Sequence, residues 1–180
     1  RPGGMSKGQN IDPDVFTDPI SGKTYLYWGN YYMAVCELNE DMVSIKPNTT
    51  RILIDNDTYY SEAAHVFYRN GYYYFTWSKN DTRSPEYQVR CVRTKSPVGP
   101  IEASKSEVIL CKKPEQGIFG TGHHSILSLP DKDEWRIIYH RFKFPDAVTM
   151  GRNAGFHREV CIDKLEFDEN DSIIEVIPTL

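Results

Sequence analysis

No apolar run in this 180-residue chain approaches the roughly 20 residues of a membrane-spanning helix, and no membrane partner is expected. Lys and Arg are scattered, and 21 of them against 25 Asp and Glu leave a net charge of −4. No basic stripe invites nucleic acid, so none is expected as a partner. The opening residues, RPGGMSKGQN, lack the apolar core of a signal peptide and read like the middle of a protein, so they give no address. HExxH, paired CxxC, GxSxG and phosphate-loop patterns are all absent. Asp12, Asp14 and Asp18 imitate a calcium loop only superficially, because Phe16 breaks the alternation and no glycine follows where an EF-hand needs it. Four cysteines are an even count, but that is weak evidence for disulfides in a chain this long. Alanine is sparse and no long window follows a helical period, which removes most of the case for helix.

What the chain has is aromatic residues, 13% of the total and led by 12 Tyr, within a hydrophobic fraction of 39%. That composition favours β structure in a globular protein. From Asp14 the order is strand (DVFTD), turn (PISGK), strand (TYLYWG), strand (YYMAVCEL), then MVSIKP. From His65 it is HVFYR, the turn NG, YYYFTWS, YQVRCVRT, and after a polar stretch EVILCKK. From His124 it is HSILSL, PDKD, EWRIIYHR, EVCIDKLEF, DEND and SIIEVIPTL. Three copies of one unit therefore span residues 11–60, 61–115 and 116–180, a period that signals repeat architecture. Cys36, Cys91 and Cys161 each fall in the third strand of a unit, where cysteine serves as a small buried hydrophobe. Asn70-Gly71 is the strongest hairpin signal, since both central residues of a type I′ turn need φ > 0.

Four-stranded units in series predict an all-β fold, an incomplete β-propeller of about three blades forming part of a single domain. A β-sandwich is the alternative, and the internal repeat counts against it. Three blades do not close, since propellers typically have 4–8. Further blades, or a second chain, are therefore expected as partners.

Three polar residues stand where the first strand of each unit begins: Asp12, Glu62 and His123. Matching places in successive blades meet at the propeller axis. Two carboxylates and an imidazole there would be costly to desolvate without an acid–base purpose. Each has a plainer reading: Asp12-Pro13 as a turn opening, Glu62 as a solvated loop residue, His123 as part of the glycine-rich turn Gly120-Thr121-Gly122. Trp28, Trp77 and Trp135 could stack on sugars, but their place in second strands favours core packing. Acceptor triplets at Asn48, Asn56, Asn80 and Asn170 matter only in a eukaryotic secretory setting.

The succession IDPDVFTDPISGKTYLYWG, SEAAHVFYRNGYYYFTWS, GTGHHSIL and IIYHRF resembles glycoside hydrolase family 43, five-bladed propeller enzymes that degrade arabinan and xylan. The resemblance runs from about Asn10 to the C-terminus. It implies a glycosidase of the α-L-arabinofuranosidase, β-xylosidase or arabinanase type, inverting, and acting on oligo- or polysaccharide. It implies that Glu62 is the general acid, that Asp12 tunes the pKa of that acid and orients it, and that Arg141 reaches the substrate. It further implies that His123 helps hold a central calcium through water; no cofactor is needed for the chemistry itself. Secretion or a periplasmic address follows from the resemblance alone. Two departures stand out. The family's general base lies in its first blade, and no residue here matches it. Glu62-Ala63-Ala64-His65 replaces the family's Glu-Gly-Pro-His. The rival readings are a non-catalytic or degenerate sugar-binding propeller fragment, a retaining fructan-type hydrolase whose Arg-Asp-Pro and Glu-Cys signatures are absent, and a propeller serving protein–protein interaction.

Overall fold

The computed structural model describes residues 7–129 and 131–180. The first six residues of the RPGGMSKGQN reading, and Pro130 of the turn expected at PDKD, lie outside the described residues.

Strands follow one another along the chain, joined by connections that range from the Asn70-Gly71 turn to the long segment 143–157, as the tyrosine-rich, alanine-poor sequence leads one to expect. They are β1 (Asp14–Thr17), β2 (Thr24–Trp28), β3 (Tyr32–Glu37), β4 (Arg51–Asp55), β5 (Glu62–Arg69), β6 (Tyr72–Lys79), β7 (Gln88–Thr94), β8 (Glu107–Leu110), β9 (Gly122–Ser128), β10 (Trp135–Phe142) and β11 (Arg158–Leu165). They form three sheets, ordered β1-β2-β3-β4, β5-β6-β7-β8 and β11-β10-β9. Helix among the described residues is limited to short 3-10 turns. Backbone contacts divide the chain into two units, one running to Trp77 and including Val92–Ser106, the other comprising Ser78–Cys91 and Glu107–Leu180. The boundary passes through β6 and β7.

The expected hairpin forms. Asn70 and Gly71 sit at φ 48° and 82° between β5 and β6, the conformation that Asn-Gly adopts at low cost. None of the four cysteines is in a disulfide; Cys36 and Cys91 are buried, Cys111 and Cys161 half-buried.

Two expected strands do not form, for local reasons. In MVSIKP the Asp41 carboxylate accepts the backbone N–H groups of Val43 and Ser44, and the Ser44 hydroxyl. Met42 is held at φ 60°, so the stretch folds back and touches β3's end through a single Leu38–Ile45 bridge. Such side-chain bonds compete with a sheet ladder. The outer strand of that sheet is Arg51–Asp55 instead. At the C-terminus, SIIEVIPTL makes only isolated bridges, Ile173 to Phe167 and Val176 to Leu110. Pro178 has no N–H to offer a ladder. The last sheet accordingly has three strands.

The first unit is filled by an aromatic core: Tyr25, Tyr27, Tyr60, Tyr73, Phe75 and Trp77, with Met33, Val35, Ile54 and Val66. Tyr27 and Phe75 meet edge to face at 5.7 Å, a favoured quadrupole geometry. Phenol and indole groups buried this way need acceptors. Tyr27 Oη donates to the Pro97 carbonyl (2.6 Å), Trp77 Nε1 to the Tyr59 carbonyl (2.6 Å), and Tyr60 Oη to the Gly29 carbonyl (2.7 Å). In the second unit Phe142, Ala147 and Ala154 cluster with Phe119. Tyr139 there donates to Asp163 Oδ2 at 2.7 Å, and burial followed by this carboxylate pushes its phenol well above the ordinary range.

Candidate active site

In the first unit, the segment that enters β1 lies against the segment that enters β5. Asp12 Oδ2 accepts the Ala63 N–H at 3.1 Å. Two residues on, Asp14 repeats the pattern: Oδ2 accepts the Val66 N–H at 3.0 Å and Oδ1 stands 3.2 Å from His65 Nδ1. Two carboxylates spaced i, i+2 thus satisfy N–H groups at the head of β5 and pin Glu62 beside them. One carboxylate oxygen of Asp12 and one of Glu62 lie within 4.8 Å of each other, and both residues are half-buried.

Backbone strain concentrates at this junction. Asp12 and Ala63 have φ of 54° and 57°, in the left-handed region that costs an alanine roughly 1–2 kcal/mol. The glycine expected after Glu62 from the family pattern would adopt this conformation freely. The replacement by Ala63 keeps the geometry and stores strain in it.

The turn between β2 and β3 supplies the remaining groups. Asn30 Nδ2 donates to Glu62 Oε2 at 3.0 Å. Tyr60, buried under the pair, has its phenol pushed well above its ordinary range, first by burial, then by the negative charges of Asp12 and Glu62. It remains a neutral donor to the Gly29 carbonyl. Sequence reasoning named Asp12 and Glu62 but missed Asn30, Tyr60 and the role of Asp14. Asp14 had a legible signal, its two-residue spacing from Asp12. Asn30 and Tyr60 had none, since the Asn30–Glu62 and Tyr60–Gly29 bonds each join residues more than 30 positions apart.

In the second unit, His123 opens β9 with φ 48°, an exposed ring and a backbone N–H donated to Ser78 Oγ at 2.9 Å. Gly122 before it is obligatory, because a Cβ there would lie 2.4 Å from the Tyr87 ring. That ring stacks on His140 at 5.6 Å and 11°, and His140 stands 6.1 Å from His123. Arg158 Nη1 donates to His140 Nε2 at 3.0 Å and to Thr82 Oγ1 at 3.3 Å. Burial, then the Arg158 guanidinium, then His123 depress the His140 pKa to about 3, so its imidazole stays neutral at neutral pH. Arg141, on the next residue of β10, is 5% exposed. Its Nε donates to Glu159 Oε1 at 2.8 Å and its Nη1 to the Thr179 carbonyl at 2.6 Å. The arginine in contact with the histidine cluster is therefore Arg158, which sequence reasoning passed over.

Comparison with known proteins covers nearly the whole chain. The sequence pattern of glycosyl hydrolases family 43 matches residues 1–173. A β-D-galactofuranosidase of Aspergillus niger is 32% identical over 171 residues, covering 94% of this chain and 46% of that protein. A probable arabinan endo-1,5-α-L-arabinosidase of Emericella nidulans is 31% identical over 108 residues, 50% of this chain and 28% of its own length. The chain thus spans less than half the length of these curated relatives. Among solved structures, a thermostable family-43 glycoside hydrolase superposes with a TM-score of 0.76 and 26% identity, over 93% of this chain and 57% of its own. An α-arabinanase of Cellvibrio cellulosa shares the fold, with a TM-score of 0.74 at 15% identity, over 94% of this chain and 57% of its own. The three sheets are accordingly part of a β-propeller. A repeated sheet unit and a family match across nearly every residue agree, and the chain belongs to glycosyl hydrolases family 43.

Proposed function

We propose that the protein to which this chain belongs hydrolyses arabinofuranosidic or xylosidic linkages of plant polysaccharides with inversion, and that Glu62 is its general acid. The observation that carries the reading is the Asp12–Glu62 pair, oxygens within 4.8 Å and anchored by the Ala63 N–H on Asp12. In the reaction, Glu62 protonates the leaving oxygen while a second carboxylate activates water from the opposite face. No residue of this chain is assigned as that base. Asp12 acts by orienting Glu62. His123, a single exposed imidazole, suits holding a water of a calcium shell, since calcium prefers six to eight oxygen ligands. Arg141 would reach a sugar only by leaving Glu159 and Thr179, so its part in this proposal is to support β10.

The test is Glu62→Gln, assayed on arabinosides, xylosides and, given the Aspergillus relative, galactofuranosides. Loss of kcat should be heavy with poor leaving groups, on the order of 10²–10⁴-fold as general acid catalysis contributes, and small with activated aryl glycosides. Equal losses on both would remove Glu62 from the acid role. The alternative reading is a sugar-binding propeller without turnover. Saturable binding of xylo- or arabino-oligosaccharide with no product release by the intact protein would support it.

A further inference from the structure

Asn30 occupies the tip of a turn whose backbone is tied down on both sides. Gly29 N–H donates to the Ile11 carbonyl (2.9 Å) and Asn30 N–H to the Gln9 carbonyl (3.0 Å), both on the segment leading to Asp12. Tyr31 N–H donates to the Ser61 carbonyl (2.7 Å), immediately before Glu62, and the Tyr31 carbonyl accepts the Asn56 N–H (2.8 Å). Tyr60 Oη caps the Gly29 carbonyl from below. The conformation leaves little choice. Gly29 has φ 125° and a Cβ would lie 2.3 Å from the Tyr32 carbonyl oxygen, while Tyr31 follows at φ 62°. The main chain thus fixes where Asn30 stands without help from its side chain.

That leaves the side chain's direction to be explained. Its Nδ2 lies 3.0 Å from Glu62 Oε2 and only at a marginal 3.4 Å from the Ser61 carbonyl. An amide nitrogen donates and never accepts, so Oε2 must meet it as an acceptor. In the protonated acid the carbonyl oxygen is the better acceptor, so this contact favours Oε2 in that role. The hydroxyl is then Oε1.

We propose that Asn30 is a positioning residue for Glu62, fixing Oε2 as acceptor so that Oε1 carries and delivers the proton. The proposal rests on the reading of Glu62 as general acid for its purpose, but not for its test. Amide donation to a carboxyl strengthens when the carboxyl ionises. Titrating the isotopically labelled chain by NMR, the Asn30 side-chain N–H resonance, assigned by its loss in Asn30→Asp, should move downfield as Glu62 ionises. Glu62→Gln should remove that movement, leaving only the smaller response to neighbouring Asp12. In Asn30→Asp, where the donor becomes a like charge of the same shape, the Glu62 carboxyl resonance should titrate at higher pH than in the parent. Should that variant not fold, Glu62→Gln carries the test alone. An Asn30 side chain that merely pinned the turn would give a resonance indifferent to both pH and Glu62→Gln, and that result overturns the proposal. A pH-dependent Asn30 signal together with full activity of Glu62→Gln would instead overturn the acid reading and leave the contact standing.

Discussion

Replacing Tyr60 by Phe tests the least conspicuous support of the site. The ring is 2% exposed and packs 6.0 Å from Trp77, and the substitution keeps both the ring and its burial. Only the hydroxyl goes, and with it the 2.7 Å bond to the Gly29 carbonyl. An unmet buried acceptor costs about 1–3 kcal/mol. For a chain of this length each kcal/mol corresponds to about 2–4 °C in Tm. Urea unfolding at neutral pH, followed through Trp77 fluorescence, should show the loss. The pH dependence supplies a second signature. Burial, assisted by Asp12 and Glu62, raises the Tyr60 pKa well above its ordinary value in the folded chain. Above about pH 10 the unfolded chain therefore releases a proton that the folded chain keeps, and the parent loses stability as pH rises. Tyr60→Phe has no such proton, so the gap between the two should narrow from pH 10 upward. A neutral-pH difference below about 0.3 kcal/mol, well under the usual cost of an unmet acceptor, or a gap that stays constant to pH 11, would refute the assignment.

Two other substitutions follow from the same geometry. Arg141→Ala removes the partner of Glu159 and of the Thr179 carbonyl. Because Glu159 keeps 31% of its side chain in solvent, the cost should be about 2 kcal/mol rather than the 3–5 of a fully buried pair. Thermal unfolding measures it, and a raised KM at unchanged Tm would return Arg141 to the substrate. Ala63→Gly relieves a left-handed alanine, and the gain of about 1–2 kcal/mol is offset by about 0.5–1 kcal/mol of lost chain entropy. Stability should hold or rise slightly, and a clear fall in the urea midpoint would show that φ 57° is not a source of strain.

Much of the fold was legible along the chain because its determinants are local. Asn70-Gly71 fixes a turn through two φ values, and the aromatic second strands β2 and β6 read as strands before anything packs on them. The failures were also local in origin. MVSIKP looks extended until Asp41 captures the two following N–H groups, and SIIEVIPTL has a strand's composition but places Pro178 where a ladder needs a donor. Apolar pattern registers what a residue prefers to bury, and a competing side-chain hydrogen bond leaves no trace in it.

The candidate site divides along the same line. The sequence by itself singled out Asp12, Glu62 and His123 as candidates, because each stands where the first strand of a repeated unit begins. It also determined the two-residue spacing of Asp12 and Asp14, while only the fold brings both carboxylates to the head of β5. Only the tertiary structure decided that Asn30 and Tyr60 support Glu62, that Arg158 joins His140, and that Arg141 is buried on Glu159. Those contacts join residues 18 to 32 positions apart on different strands or turns. Their pairing depends on strand register and on turns held at positive φ, and a side chain's own sequence neighbours carry no record of either.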